Sequence, residues 1–103
     1  MPDYTDTLKA LAGQFGFEFN GHIADNIDPE VLALVPRNVA RRYWTIPLSQ
    51  EVAGSRLRVK AAISDPLDAD TVDALRRITN LDIEPVIVPK SEIRRAFKRF
   101  YAG

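Results

Sequence analysis

The chain has no cysteine among its 103 residues and a single histidine, His22. Disulfides, thiol nucleophiles and cysteine-ligated metals are therefore excluded, and a histidine-based zinc site within one chain lacks ligands. Long apolar runs are also missing: none approaches the ~20 residues that span a bilayer, and no basic-then-apolar leader opens the chain. The expected location is cytoplasmic. Charge of one sign is not in excess either, since 14 basic and 14 acidic residues cancel. That balance argues against the broad positive field of a general nucleic-acid binder, so no nucleic-acid partner is expected. Only 5 glycines occur and no Gly-Lys pair, which removes the P-loop pattern G-x-x-x-x-G-K-[ST] and, by spacing, the dinucleotide fingerprint G-x-G-x-x-G. No cofactor and no catalytic constellation are expected.

What is present points to one small α+β domain with a thin core. The charge is sorted along the chain. Residues 1 to 35 carry six acids against Lys9, and residues 36 to 63 carry six bases against Glu51. Residues 64 to 89 are acidic except for Arg76 and Arg77, and residues 90 to 103 hold five bases with Glu92. Such sorting lets separate faces meet different partners, and it also complements helix ends.

Leu8, Leu11, Ala12 and Phe15 make one apolar stripe, predicting a helix that starts at Asp3 or Thr5 and stops at a left-handed Gly16. The stretch FEFNGHIADNI has no helical period and reads as a connector in which Phe17 and Phe19 pin a short extended piece. Asp28 is a good N-cap before Pro29, and Pro36 ends that short helix while opening another, RNVARRY, with Val39, Ala40 and Tyr43 on one face. WTIPL reads as a strand, joined by a turn near Gly54 to residues 57 to 63. There Leu57, Val59, Ala61 and Ile63 alternate with Arg58, Lys60 and Ala62, so one sheet face is expected buried and the other wet. Asp68 caps a further helix in which Leu67 is expected to staple onto Val72, Leu75 and Ile78 line the core, and Asn80 closes. DIEPVIV is a third strand. The last helix, capped at Ser91, carries Ile93, Ala96, Phe97, Phe100 and Tyr101 at core spacing.

Pro47 and Pro85 each lie inside a strand and cannot donate to a ladder, which predicts both strands at edges. The expected fold is thus N-terminal helices followed by a three-stranded mixed sheet in order 1-2-3, with residues 57 to 63 central and two helices on one face. Residues 1 to 26 form a helix and connector, and 27 to 103 a compact core, within one domain. The first two strands should be antiparallel and the last two parallel.

Among candidate sites, His22 lacks any triad context and reads as a loop histidine. Asp65, Asp68, Asp70 and Asp73 miss the glycine and terminal glutamate of a calcium loop, and helix capping accounts for them better. The basic set is more open. Arg37, Arg41 and Arg42, with Arg58 and Lys60, are the candidate partner-binding residues, because guanidinium forks hold carboxylates and phosphates well.

Taken in order, IDPEVLALVPRNVARRYWTIPL, LRVKAAISDPLDADTVDALRRITNLDIEPVIV and EIRRAFKRFY resemble the N-terminal domain of the type II secretion and type IV pilus assembly ATPases. The residues that carry the resemblance include Leu32, Pro36, Ala40, Ile46, Pro47, Leu48, Asp65, Pro66 and Asp68. The resemblance implies a non-catalytic module that docks onto the cytoplasmic part of an inner-membrane platform protein, peripheral to the membrane. The ATPase motor would lie in the same or another chain. It also implies an alternative, cyclic di-GMP binding, which relatives achieve with two Arg-Leu-Gly-x-x-Leu segments. Here only a degenerate second copy is seen, with Gln14 at the arginine position and Phe15, Gly16 and Phe19 following.

Overall fold

The computed structural model describes residues 5–101; the proposed helix start at Asp3 lies outside them. Helix α1, Thr5–Gln14, ends before Gly16, whose φ of 78° is the left-handed stop. Strand β1, Glu18–Phe19, follows. Helix α2, Pro29–Leu32, begins where an Asp28 carboxylate oxygen accepts from the Glu30 amide. Helix α3, Arg37–Tyr43, starts after Pro36, and strand β2 is Ile46–Ala53. A two-residue turn with Gly54 at φ 66° leads into β3, Arg56–Ile63, the positive φ that such tight hairpins require. Helix α4, Ala69–Thr79, is capped by Asp68, which accepts from the Thr71 amide, and closes on left-handed Asn80. Strand β4, Asp82–Ile87, and helix α5, Lys90–Phe100, complete the fold.

The sheet has four strands, not three, in the order β1-β4-β3-β2. β2 and β3 are antiparallel and β3 and β4 parallel, as their spacing predicts. The added member is the two-residue β1, which pairs parallel with Val86 and Ile87 of β4. β4 is therefore interior, and Pro85 does not sit on an edge strand. The backbone reconciles this. The Asn20 amide donates to the Ile87 carbonyl, whereas the Val88 amide donates to Ile63 of β3, so odd residues of β4 face β1 by the period of two. Pro85 thus turns its missing N–H away from β3, just short of the pairing with β1. Pro47 does lie on the edge strand β2, beside a register shift between Pro47 and Ser49.

The helices do not share one face. Leu75 of α4 packs with Val59, Ala61 and Ile83, and Val72 with Ile63, Ile87 and Ala12 of α1. Ile93, Ala96 and Phe97 of α5 pack instead with Ala62, Val86 and Val88, side chains of the opposite parity and hence the opposite face. Ala62 is fully buried, so the wet face is confined to the Arg58 and Lys60 end of β3. The α5 cluster also takes Ile23, Ile27, Val31, Val35 and Ala40. Four other side chains miss their expected places: Leu67 is 68% exposed and staples nothing, Phe15 and Ile78 are each 47% exposed, and Leu11 is 36% exposed. Ser91 caps nothing either, because α5 begins one residue earlier, with Pro89 as its N-cap.

Candidate functional site

The five predicted partner-binding cations do not form one cluster. Arg37 and Arg41 each donate from Nη2 to the Tyr101 carbonyl, at 2.6 and 3.0 Å. They sit in α3 yet satisfy the carboxyl end of α5, where helix carbonyls lack partners and cations are favoured. Arg42 turns elsewhere, its guanidinium 5.5 Å from the centre of the Tyr43 ring. Arg58 and Lys60 lie on the wet end of the sheet among acids. Arg58 Nε is 3.4 Å from Asp82, and Lys60 Nζ is 3.0 Å from Glu18. The hydrogen bond and charge of Glu18 raise the Lys60 pKa above its ordinary value. Both cations are thus already neutralised within the fold.

A second set, which the sequence pattern did not single out, surrounds Trp44. This residue ends α3 in the left-handed conformation, φ 50° and ψ 55°, a place that glycine or asparagine usually takes and that costs another residue about 1–2 kcal/mol. Its ring packs against Phe97 at 5.5 Å between centroids. Lys90 Nζ lies 4.5 Å from the ring centre and the Arg94 guanidinium 5.7 Å, both within cation–π range. Two open depressions flank it. One, of about 400 Å³, is lined by Arg41, Trp44, Arg94, Phe97 and Lys98. The other, of about 300 Å³, brings Arg42, Tyr43 and Lys90 opposite Asp65, Asp68 and Thr71. The signal for this set was present as the basic side of the last helix, but its convergence on Trp44 depends on where α5 crosses the sheet.

A third constellation is structural. Glu92 Oε1 accepts from the Ile23 amide at 3.0 Å, and Arg95 bonds Glu92, Asp25 and the Ile23 carbonyl. Arg99 Nε donates to the Asp25 carbonyl at 2.6 Å. His22 Nδ1 lies 3.1 Å from Glu92. Hydrogen bonding from Arg95 holds the Glu92 carboxyl below its usual range, against the opposing effect of burial. These bonds fasten the connector after β1 onto α5.

The MshEN domain model matches residues 15–103. The chain belongs to the MshEN domain family. It is 35% identical over 77 residues to the type IV pilus assembly ATPase PilB of Myxococcus xanthus (strain DK1622), a match covering 75% of this chain and 13% of PilB. The chain thus spans about an eighth of that relative's length. Its fold superposes on MshE with cdg at a TM-score of 0.79 and 26% identity, covering 96% of this chain and 69% of that one. The N-terminal domain of XpsE superposes at 0.75, with 96% and 67% covered. At 19% identity that likeness speaks for the fold alone. This MshEN domain is of the kind found at the N-terminus of type II secretion and type IV pilus ATPases.

The residues that carry the resemblance hold the fold. Pro36 precedes α3, Ala40 and Ile46 are fully buried, and Pro47 is buried on the edge strand. Leu32 and Leu48 pack against the α5 cluster. Asp65 accepts from the Leu67 amide, half-buried Pro66 follows it, and Asp68 caps α4.

Proposed function

We propose that this MshEN domain is a docking and regulatory module, without chemistry of its own, that joins a secretion or pilus assembly ATPase to the cytoplasmic part of an inner-membrane platform protein. The carrying observation is the family match over residues 15–103. A fold that spends Arg37, Arg41, Arg95 and Arg99 on internal carbonyls, while leaving Lys90 and Arg94 over the half-buried Trp44, suits a rigid adaptor. The motor would be supplied by the same or another chain, and the module would lie in the cytoplasm, held at the membrane only through its partner. Among the described residues no helix is long and apolar enough to cross a membrane. Surface plasmon resonance against the immobilised cytoplasmic domain of the platform protein tests the reading. Saturable binding is expected; its absence at concentrations up to about 1 mM, the weak end of specific association, would remove it.

A second reading draws on the likeness to MshE with cdg: binding of cyclic di-GMP. Two segments hold that ligand in the relatives that the resemblance implies, and here Gln14 replaces the expected arginine while Phe15 is half exposed at 47%. Calorimetry with cyclic di-GMP separates the readings. No heat of binding is expected, and a saturable isotherm would move sensing into first place.

A further inference from the structure

We infer that the groove beside Trp44 is the docking surface for an acidic polypeptide segment of the partner. The inference deepens the docking reading and rests on it. Three observations converge. First, the lining of the larger depression combines three cations, Arg41, Arg94 and Lys98, with the rings of Trp44 and Phe97, and contains no acid. Second, those cations that face outward have no carboxylate of their own. Among the described residues Arg94, Lys98 and Lys90 pair with no acid, although Arg58, Lys60 and Arg95 all do. All three are exposed, and Lys90 and Arg94 lie over the one Trp44 ring. Third, Trp44 keeps a left-handed backbone where a smaller residue would fit with less strain, and such outliers point from geometry to function.

Occupancy by a small molecule is disfavoured by shape, since ligand pockets enclose most of their ligand and this depression is a shallow furrow between α3 and α5. Tryptophan and arginine together are the side chains that dominate protein interfaces. The matching segment carries carboxylates for Arg94 and Lys98 and an apolar side chain to lie against Trp44 and Phe97. Charge complementarity of this kind gives association that weakens with salt.

Trp44 is the sole tryptophan of the chain, so its emission reports on the groove directly. Binding of the domain to the platform protein's cytoplasmic domain is compared among wild type, R94E/K98E and K9E/R77E. The last pair lies on α1 and α4, on the other face of the sheet, and changes net charge equally. R94E/K98E is expected to weaken binding about tenfold or more, and K9E/R77E less than about twofold. Circular dichroism monitors the fold, and R94Q/K98Q should give the same ordering should the reversed pair lose structure. In a second arm, a tryptophan-free peptide of glutamate and leucine should shift Trp44 emission in a salt-sensitive manner, whereas inorganic phosphate, cyclic di-GMP and phosphatidylglycerol vesicles should not. Wild-type affinity in R94E/K98E, or a shift with phosphate or vesicles alone, overturns this assignment and leaves docking standing. Failure of the wild type to bind removes both.

Discussion

The Thr45 hydroxyl is wholly buried and without a hydrogen-bond partner among the described residues. A buried donor left unpaired costs about 1–3 kcal/mol, whereas an apolar group of the same shape costs nothing of the kind. Thr45→Val is therefore expected to stabilise the domain by about 1 kcal/mol, read as a higher urea midpoint with an unchanged slope. A lower midpoint would mean that the hydroxyl has a partner in solution. Its neighbour Trp44 shows the opposite trade. The left-handed backbone there is unfavourable, and packing on Phe97 with two cations beside the ring offsets it. Tyr101 adds a third case: burial alone raises its phenol pKa, and its hydroxyl too has no partner among the described residues. The carbonyl of the same residue is held by Arg37 and Arg41. Charge reversal at those arginines would consequently loosen α5 as well as alter a surface, so loss of binding in such a variant reports on folding first.

Between elements, the clearest coupling is the clasp of the connector after β1 onto α5 through Glu92. Its carboxyl is held below the ordinary value chiefly by Arg95, so the ionised form is favoured in the fold. A depressed carboxylate contributes stability that is complete above its unfolded pKa of about 4.3 and is lost as pH falls through the lower folded value. Glu92→Gln should thus be less stable than wild type at pH 7, and the difference should shrink steadily below about pH 4.3, as followed by thermal melts across pH. A difference that grew on acidification would reverse the sign and refute the clasp. This clasp was invisible in the sequence for a definite reason. It joins residues as far apart as Ile23 and Glu92, and its signal is single polar side chains without period. The elements that were legible are those fixed locally: Asp28 and Asp68 as caps, Gly16 and Asn80 as left-handed stops, the alternation in β3. The extended piece pinned by Phe17 and Phe19 was legible, but its place in the sheet as β1 escaped, because two residues carry no alternation and the pairing with Val86 and Ile87 is set by tertiary packing. The placement of α5 opposite α4 escaped because an amphipathic stripe says which side of a helix is buried, not against which face. The candidate site was half legible for the same cause: the arginines of α3 stood out, while the destination of each depended on where α5 ends.

Across the whole molecule, the amino-terminal quarter is tied to the rest on both faces of the sheet. Ala12 is fully buried beneath β3 and β4 with Ile63, Val72 and Ile87, and Phe17 and Phe19 pack against the same cluster. On the other side Ile23 is fully buried in the α5 cluster. β1 also covers the outer edge of β4, whose carbonyl at Ile87 bonds Asn20. A chain beginning at Ile27 would lose all of these together. Truncating one buried isoleucine costs about 2–5 kcal/mol, and small domains hold only about 5–15 kcal/mol in total. Loss of Ile23 with Ala12, two phenylalanines and a strand therefore reaches the full stability. We expect the shortened chain to give a collapsed amide spectrum with little dispersion, and Ile23→Ala in the full chain to lower stability by about 2–5 kcal/mol. Well-dispersed resonances from residues 27 to 103 alone would instead show that the α5 cluster closes without the connector, and the first quarter would then be free to detach when a partner binds.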